Sequence, residues 1–337
     1  MNEKGATNLS DLLVQAGTEP EAGPSAKYLI LLRGGIPGAM LRLSPGGDWI
    51  GRAPENTVYV PEGTVSRRHA ALRSDGDGRV WLTDLGSTNG TFVNGRRLVP
   101  HQPVLLRDGD RLRFGTTVVV KFVCPDPCEE RFQRELFERS VRDPLTGLYN
   151  RNFFLDQIGP LSARAAARGL GLAILMLDLD HFKVVNDTYG HAAGDTVLHE
   201  AAQVIRQSTR ADDLVARYGG EEFVAALPIT ALDHAFERAE RIRLNLSARR
   251  IEASGTPLCI TVSIGLAYAP PERAHLAASL LVVADRCLYR AKETGRDRVV
   301  GRFEPALSWA ELQATSDGEG SGFVCCITSP TLGAQDD

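Results

Sequence analysis

The hydrophobic period of the chain changes at Pro125 and Pro127. Before that point, apolar residues come in short alternating or continuous runs broken by Gly, Asn and Pro: Tyr28–Leu32, Met40–Leu43, Val58–Val60, His69–Leu72, Val80–Leu85, Thr91–Val93, Arg111–Phe114 and Thr117–Val123. Many short strands at close spacing predict an all-β sandwich. Beyond the prolines, Glu129–Val141 reads as a charged helical stalk with Phe132, Leu136 and Phe137 on one side, too short to be stable unless it packs. Helical and strand periods then alternate, with helices expected near Arg151–Ala167, His191–Thr209, Leu232–Ala248 and Leu276–Thr294, strands at Gly171–Leu177 and Thr261–Ala267, and a hairpin around Gly219–Gly220. That order predicts an α+β domain with mixed strand order. The 337 residues exceed what one core serves, so a multidomain chain is expected, with folded segments at 27–124 and 142–303, a linker at 125–141, and tails at 1–26 and 304–337.

Charge follows the same division. The net −4 is made of −3 in residues 1–26, +6 in 27–125, −1 in 126–303 and −6 in 304–337. Acidic ends rich in Gly, Ser, Thr and Pro are expected to be disordered, and the positive sandwich to meet an anionic partner. No apolar run reaches the ~20 residues of a membrane span, and Met1–Ser10 lacks a signal core, so a cytoplasmic protein is expected. Six cysteines are too few for a disulfide scaffold and form no zinc pattern; Cys259 and Cys287 read as buried thiols.

Three sandwich loops hold Gly51-Arg52, Ser66-Arg67-Arg68-His69 and Gly86-Ser87-Thr88-Asn89-Gly90-Thr91-Phe92-Val93-Asn94-Gly95. Arginines with hydroxyl and amide groups suit a phosphate monoester, and without a carboxylate pair or base beside them they make a binding site, not a catalytic one. The segment resembles the forkhead-associated (FHA) phosphothreonine-binding domains. The resemblance implies that Arg52, Ser66 and Arg67 contact phosphate, that Thr88 and Asn89 hold the peptide, and that His69 and Asn94 brace loops. The ligand would be a phosphothreonine on a partner protein or on the chain's own N-terminal tail, where Thr7 and Thr18 lie.

In the second segment the apolar run Leu172–Leu177 leads into Asp178-Leu179-Asp180-His181-Phe182-Lys183, and a separate stretch reads Arg217-Tyr218-Gly219-Gly220-Glu221-Glu222-Phe223. A carboxylate ending a buried strand is poorly solvated, and Mg²⁺ is its natural partner where phosphates are handled. Paired glycines turn a hairpin and admit a ligand to the backbone; alternation then sends Glu221 and Glu222 to opposite faces, so one of them is expected to join Asp178. From Asp143-Pro144-Leu145-Thr146-Gly147 to Gly295-Arg296 the chain resembles the GGDEF diguanylate cyclases, in a GGEEF form.

That resemblance implies a palm-like nucleotide cyclase fold of the bacterial signalling type and condensation of two GTP to cyclic di-GMP with release of pyrophosphate. It assigns Asp178, the Leu179 carbonyl and Glu221 to Mg²⁺ (or Mn²⁺), Glu221 to activation of the attacking hydroxyl, and Glu222 to the catalytic signature. Lys183, Lys292 and Arg296 would hold phosphates beside Gly219 and Gly220, and Asn186 and Asp195 would read guanine. Arg210 and Asp213 form an R-x-x-D pair with five residues between it and Gly219, the position of the family's product-inhibition site. One such site holds one GTP, which implies a homodimer, with the FHA segment controlling its geometry. The competing reading is a non-catalytic, phosphopeptide-dependent scaffold whose cyclase-like domain only binds GTP or cyclic di-GMP. DNA binding is disfavoured, because the motif arginines sit in phosphate-reading loops and no recognition helix is visible.

Overall fold

The computed structural model describes residues 7–8, 26–53, 55–253, 255–303 and 324–325. The expectations for Thr18, Cys326 and most of both tails lie outside the described residues. The chain divides into two compact units, Met1–Ser140 and Val141–Asp337.

The first unit holds two six-stranded sheets. One runs, in spatial order, Thr7–Asn8, Val58–Tyr59, Asp48–Gly51, Ala70–Ser74, Val80–Asp84, Val104–Leu105; the other runs Met40–Arg42, Tyr28–Arg33, Val118–Val123, Arg111–Phe114, Thr91–Val93, Arg96–Arg97. Alternation survives in the burial: along Arg111–Phe114, Leu112 and Phe114 are buried while Arg111 is exposed. The expected strands recur within a residue or two, and the strands that were not anticipated are two to four residues long, too short to show a period.

The helix Pro127–Val141 belongs mainly to this unit. Its start is written locally: the Asp126 carboxylate accepts from the backbone N–H of Cys128 and Glu129 at 2.7 and 2.8 Å, Glu129 reaches back to the Asp126 N–H at 3.3 Å, and Pro127 occupies the first turn. It docks on the sheet where the Tyr28 hydroxyl donates to Glu130 at 2.6 Å; burial and that carboxylate push the Tyr28 pKa up to about 12. The apolar side expected of this helix divides. Phe137 is buried, whereas Phe132 and Leu136 are 62% and 54% exposed, because successive residues turn by about 100° and Phe137 points away from the Phe132–Leu136 line.

The second unit is built on a seven-stranded mixed sheet: Tyr149–Asn150, Leu214–Arg217, Glu222–Ile229, Gly171–Leu179, Val262–Ala269, Val299–Phe303, Val324–Cys325. All nine residues of the central strand Gly171–Leu179 are buried, and it pairs antiparallel with Glu222–Ile229 and Val262–Ala269. A continuous apolar run with both faces covered has this cause. Helices Arg151–Ala167, His191–Ser208, Leu232–Ser247 and Ala277–Glu293 match the expected ones closely, and Phe182–Tyr189 is an additional short one. At Gly265 a Cβ would overlap the backbone of Ala284 and Leu288, so the helix Ala277–Glu293 can rest directly on the sheet only over a glycine. Of the two thiols expected to be buried, Cys287 is and Cys259 is not; Leu258 and Ile260 take the inward positions and alternation turns Cys259 out.

Candidate functional site

In the first unit the residues that resemble phosphate readers stand on a buried hydrogen-bonded frame. A Cβ on Gly51 would overlap the Arg67 carbonyl, so glycine lets the Arg52 and Arg67 loops close on each other. Buried Asn56 links them, donating to the Ala53 and Arg67 carbonyls at 2.7 and 2.6 Å. The Ser66 N–H donates to His69 Nδ1 at 3.0 Å, so the proton sits on Nε2, which donates to the Gly90 carbonyl at 3.2 Å. His69 is fully buried, and burial pushes its pKa down, keeping it neutral and bracing. Asp84 accepts from Ser87 Oγ, Thr91 Oγ1 and two backbone N–H groups of the Gly86–Ser87 turn. On this frame Arg52, Arg67, Thr88 and Asn89 are exposed, Ser66 Oγ accepts the Thr88 N–H at 3.1 Å, and Asn89 donates to the Thr64 carbonyl at 2.8 Å. Asn94, at φ 50°, braces the Asp110–Arg111 turn from the side.

Burial pushes the Asp84 carboxyl up, but the four donors outweigh it and hold it below the ordinary aspartate value. Asp143 in the second unit is likewise held down, by Thr146 and Arg217 against burial. A depressed carboxyl contributes stability above its unfolded pKa, and that contribution is lost as pH falls through the folded value. The first unit, whose buried His69 is held neutral and whose Asp84 is held down, is therefore expected to lose stability as pH falls below about 6.5, where the unfolded histidine takes up a proton, and again below about pH 4. Urea midpoints measured across that range check this, and flat midpoints down to pH 3 would contradict it.

In the second unit the central strand ends at Asp178 and Leu179, with Asp178 in register with Glu222 on one side and Ser263 on the other. The Leu179 N–H bonds the Glu221 carbonyl at 3.3 Å, which brings the two signature segments together. Asp178 is 5% exposed and ion-paired with Lys292 Nζ at 2.7 Å. Burial pushes its carboxyl up, with Asp180 adding to the push and Lys292 and Arg296 opposing it; burial and the Asp178 charge push Glu221 up as well. Glu222 instead folds over the turn: a Cβ on Gly219 would lie 2.5 Å from its Oε2, whereas Gly220 faces open space. Neither glycine has a positive φ among the described residues, so the pair serves close approach and not a left-handed turn. Arg217 clamps the hairpin, donating to the Gly220 carbonyl at 2.7 Å and to Asp143 at 3.1 Å.

No group of three or more His, Cys, Asp or Glu converges as a metal cage among the described residues. What the strand end offers is two mutually repelling carboxylates and a backbone carbonyl, a donor set that fits Mg²⁺, which commonly takes one or two carboxylates and completes its shell from substrate phosphates and water.

The base-reading candidates are brought together. Asn186 on the helix Phe182–Tyr189 packs against Gly194, where a Cβ would overlap its Oδ1, and Asp195 follows, exposed. Lys183 is exposed in the first turn of the same helix, and Arg296 sits at φ 60° after the helix Ala277–Glu293. The R-x-x-D pair is divided. Arg210 is exposed, but Asp213 is 5% exposed, bonded to the Arg210 N–H at 2.6 Å and to Arg238. The sequence reading did not single out Arg238, Asn56, Asp84 or the Arg217–Asp143 clamp; the available signal was charged or amide groups set between apolar flanks.

Residues 140–298 match the family described as Diguanylate cyclase, GGDEF domain, and residues 49–115 match the FHA domain family. The chain carries an FHA domain followed by a GGDEF domain. It is 42% identical over 167 residues to the response regulator PleD of Caulobacter vibrioides, a match covering 49% of this chain and 37% of PleD. To the probable diguanylate cyclase DgcT of Escherichia coli it is 40% identical over 190 residues, 55% of this chain and 40% of DgcT. The solved coiled coil and GGDEF domain of DgcB from Caulobacter crescentus, in complex with c-di-GMP, is 33% identical with a TM-score of 0.48, covering 52% of this chain and 92% of that one. The chain spans less than half the length of these two curated relatives. Within the GGDEF domain, Asp178, Glu221 and Lys292 are the residues that the fold draws to one point. Within the FHA domain, buried Asn56, His69 and Asp84 brace the loops on which Arg52 and Arg67 are exposed, with Arg52 Nε donating to the Val65 carbonyl at 3.2 Å.

Proposed function

We infer that this chain is a diguanylate cyclase whose FHA domain binds a phosphothreonine peptide. The observation that supports the catalytic reading best is the meeting of Asp178 and Glu221 beside Lys292 at the end of the central strand. In the reaction each 3′-hydroxyl attacks the α-phosphorus of the other GTP, the bond to pyrophosphate breaks, and two phosphodiester bonds close the ring. Asp178, the Leu179 carbonyl and Glu221 would hold Mg²⁺, which when bound supplies Lewis-acid polarisation of the phosphate oxygens. Lys183, Lys292 and Arg296 bind phosphates and offset the charge that builds on them. Asn186 and Asp195 orient guanine, and Asp195 accepts from its N1–H and amino group. Glu221, pushed up by burial and by the Asp178 charge, takes the hydroxyl proton. One site holds one GTP, so two chains face each other across a two-fold axis. Product feedback is assigned to exposed Arg210, with Asp213 fixing its backbone. No helix among the described residues is long and apolar enough to cross a membrane.

Incubating the purified chain, stripped of nucleotide, with GTP and Mg²⁺ tests the assignment. Cyclic di-GMP is the expected product; unchanged GTP overturns the enzyme reading in favour of a nucleotide-binding scaffold. For the FHA domain, Arg52→Ala is expected to weaken phosphothreonine-peptide binding by roughly ten- to a hundred-fold, the worth of a charge-assisted bond pair. Fluorescence anisotropy reads it, and equal affinity for the unphosphorylated peptide would refute phosphate recognition.

A further inference from the structure

Asp180 has no part in the chemistry above, yet it is among the most completely bonded carboxylates in the GGDEF domain. It is 4% exposed, and three donors converge on it. Oδ1 accepts from Ser263 Oγ at 2.7 Å, and Oδ2 accepts from Thr261 Oγ1 at 2.7 Å and from the backbone N–H of Asp297 at 3.1 Å. Its own N–H donates to the Thr261 carbonyl at 2.9 Å. One side chain thus joins three segments: the end of the central strand, the start of its neighbour, and the turn after the helix Ala277–Glu293.

That turn is strained. Arg296 and Asp297 have φ of 60° and 42°, two successive non-glycine residues in the left-handed region, a conformation that surrounding bonds must impose. The Asp297 side chain is held from another direction by Arg243 Nη1 at 2.9 Å, and Arg243 is itself steadied by Glu240. The Arg296 N–H is held by the Ala291 carbonyl at 3.0 Å and the Arg296 carbonyl takes Arg298 Nε at 2.9 Å, while the next N–H, that of Asp297, goes to Asp180. Its two oxygens are acceptor-only, so they can take all three donors at once.

We propose that Asp180 is the positioning residue for Arg296: by bonding the backbone of the left-handed turn to Thr261 and Ser263, it sets the phosphate-binding arm against the strand end that carries Asp178. This rests on the reading of Arg296 as a phosphate ligand for GTP.

The test is a double-mutant cycle in the full chain, read as kcat/KM for cyclic di-GMP and as affinity for a fluorescent GTP analogue with Mg²⁺. Arg296→Ala and Asp180→Ala are each expected to lower kcat/KM by roughly ten- to a hundred-fold, and the double variant to fall no further than the worse of the two. Asp180→Asn is expected to stay within about threefold of wild type, because an amide offers its oxygen to Thr261 and Asp297 while donating to the Ser263 hydroxyl. Thr261→Val and Ser263→Ala remove one anchor each and give the same cycle in milder form should Asp180→Ala fail to fold. Multiplicative losses, or an asparagine variant as damaged as the alanine one, overturn the proposal. A wild-type chain that makes no cyclic di-GMP sinks the enzyme reading instead. In that case the binding cycle still decides Asp180, and analogue binding indifferent to Arg296→Ala overturns it.

Discussion

Glu221→Gln is expected to lower kcat for cyclic di-GMP by roughly a thousand-fold or more while leaving the fold intact. The size follows from what the carboxylate does. Polarisation of phosphate oxygens by a bound divalent cation is worth several kcal/mol of transition-state stabilisation, and each ~1.4 kcal/mol is a factor of ten in rate. The substitution removes one of the two carboxylates proposed to hold the cation and leaves Asp178 to its ion pair with Lys292. The sparing of the fold follows from position. Glu221 lies just before the strand Glu222–Ile229, is half-buried, and is pushed up by burial and by Asp178, so its charge is a burden on the folded state. An amide of the same shape relieves that repulsion, and the unfolding midpoint is expected to stay level or rise slightly. Product yield from a stoichiometric burst, read beside a urea titration, separates the two effects; a Gln variant with wild-type kcat would end the assignment of Glu221.

The second large effect concerns stability. Arg238→Ala is expected to destabilise the second unit by about 3–5 kcal/mol, because it leaves the Asp213 carboxylate buried without its ion partner. Side-chain exposure is 5% for Arg238 and 2% for Asp213, so water cannot replace the lost partner. Burial already pushes the Asp213 carboxyl up, and the Arg210 N–H, Arg238 and, least, the Arg210 charge oppose that push. Arg210→Ala removes an exposed side chain and should leave the midpoint within about 0.5 kcal/mol of wild type. It is accordingly the clean variant for product feedback, whereas an Asp213 variant would confuse feedback with unfolding. A midpoint unmoved by Arg238→Ala would show that the pair contributes no net stability.

Several parts of this protein were legible because they are local. The period change at Pro125 and Pro127 marked where the strands give way to a helix, although the units divide at Ser140 and Val141 because that helix docks on the first unit's sheet, and the all-apolar run ending at Asp178 announced a buried strand. Other features depend on an environment supplied from elsewhere in the chain. Phe132 and Leu136 looked like packing residues but are exposed, and Cys259 sits in an apolar pattern yet faces out. The glycine pair does turn the hairpin between Leu214–Arg217 and Glu222–Ile229, but neither glycine takes a left-handed φ there, and the Glu222 carboxylate lies over Gly219.

The sequence by itself determined the two folds, their order, and which residues are candidates to face phosphate, because spacing, period and motif are properties of neighbours along the chain. Only the tertiary structure decided which of those groups are braces and which can reach a ligand. His69, Asp84, Asp180 and Asp213 carry polar chemistry as readily as Arg52 or Glu221, but they are buried among donors and acceptors supplied by distant segments. A buried polar group must have its bonds met, and the partners that meet them are chosen by folding.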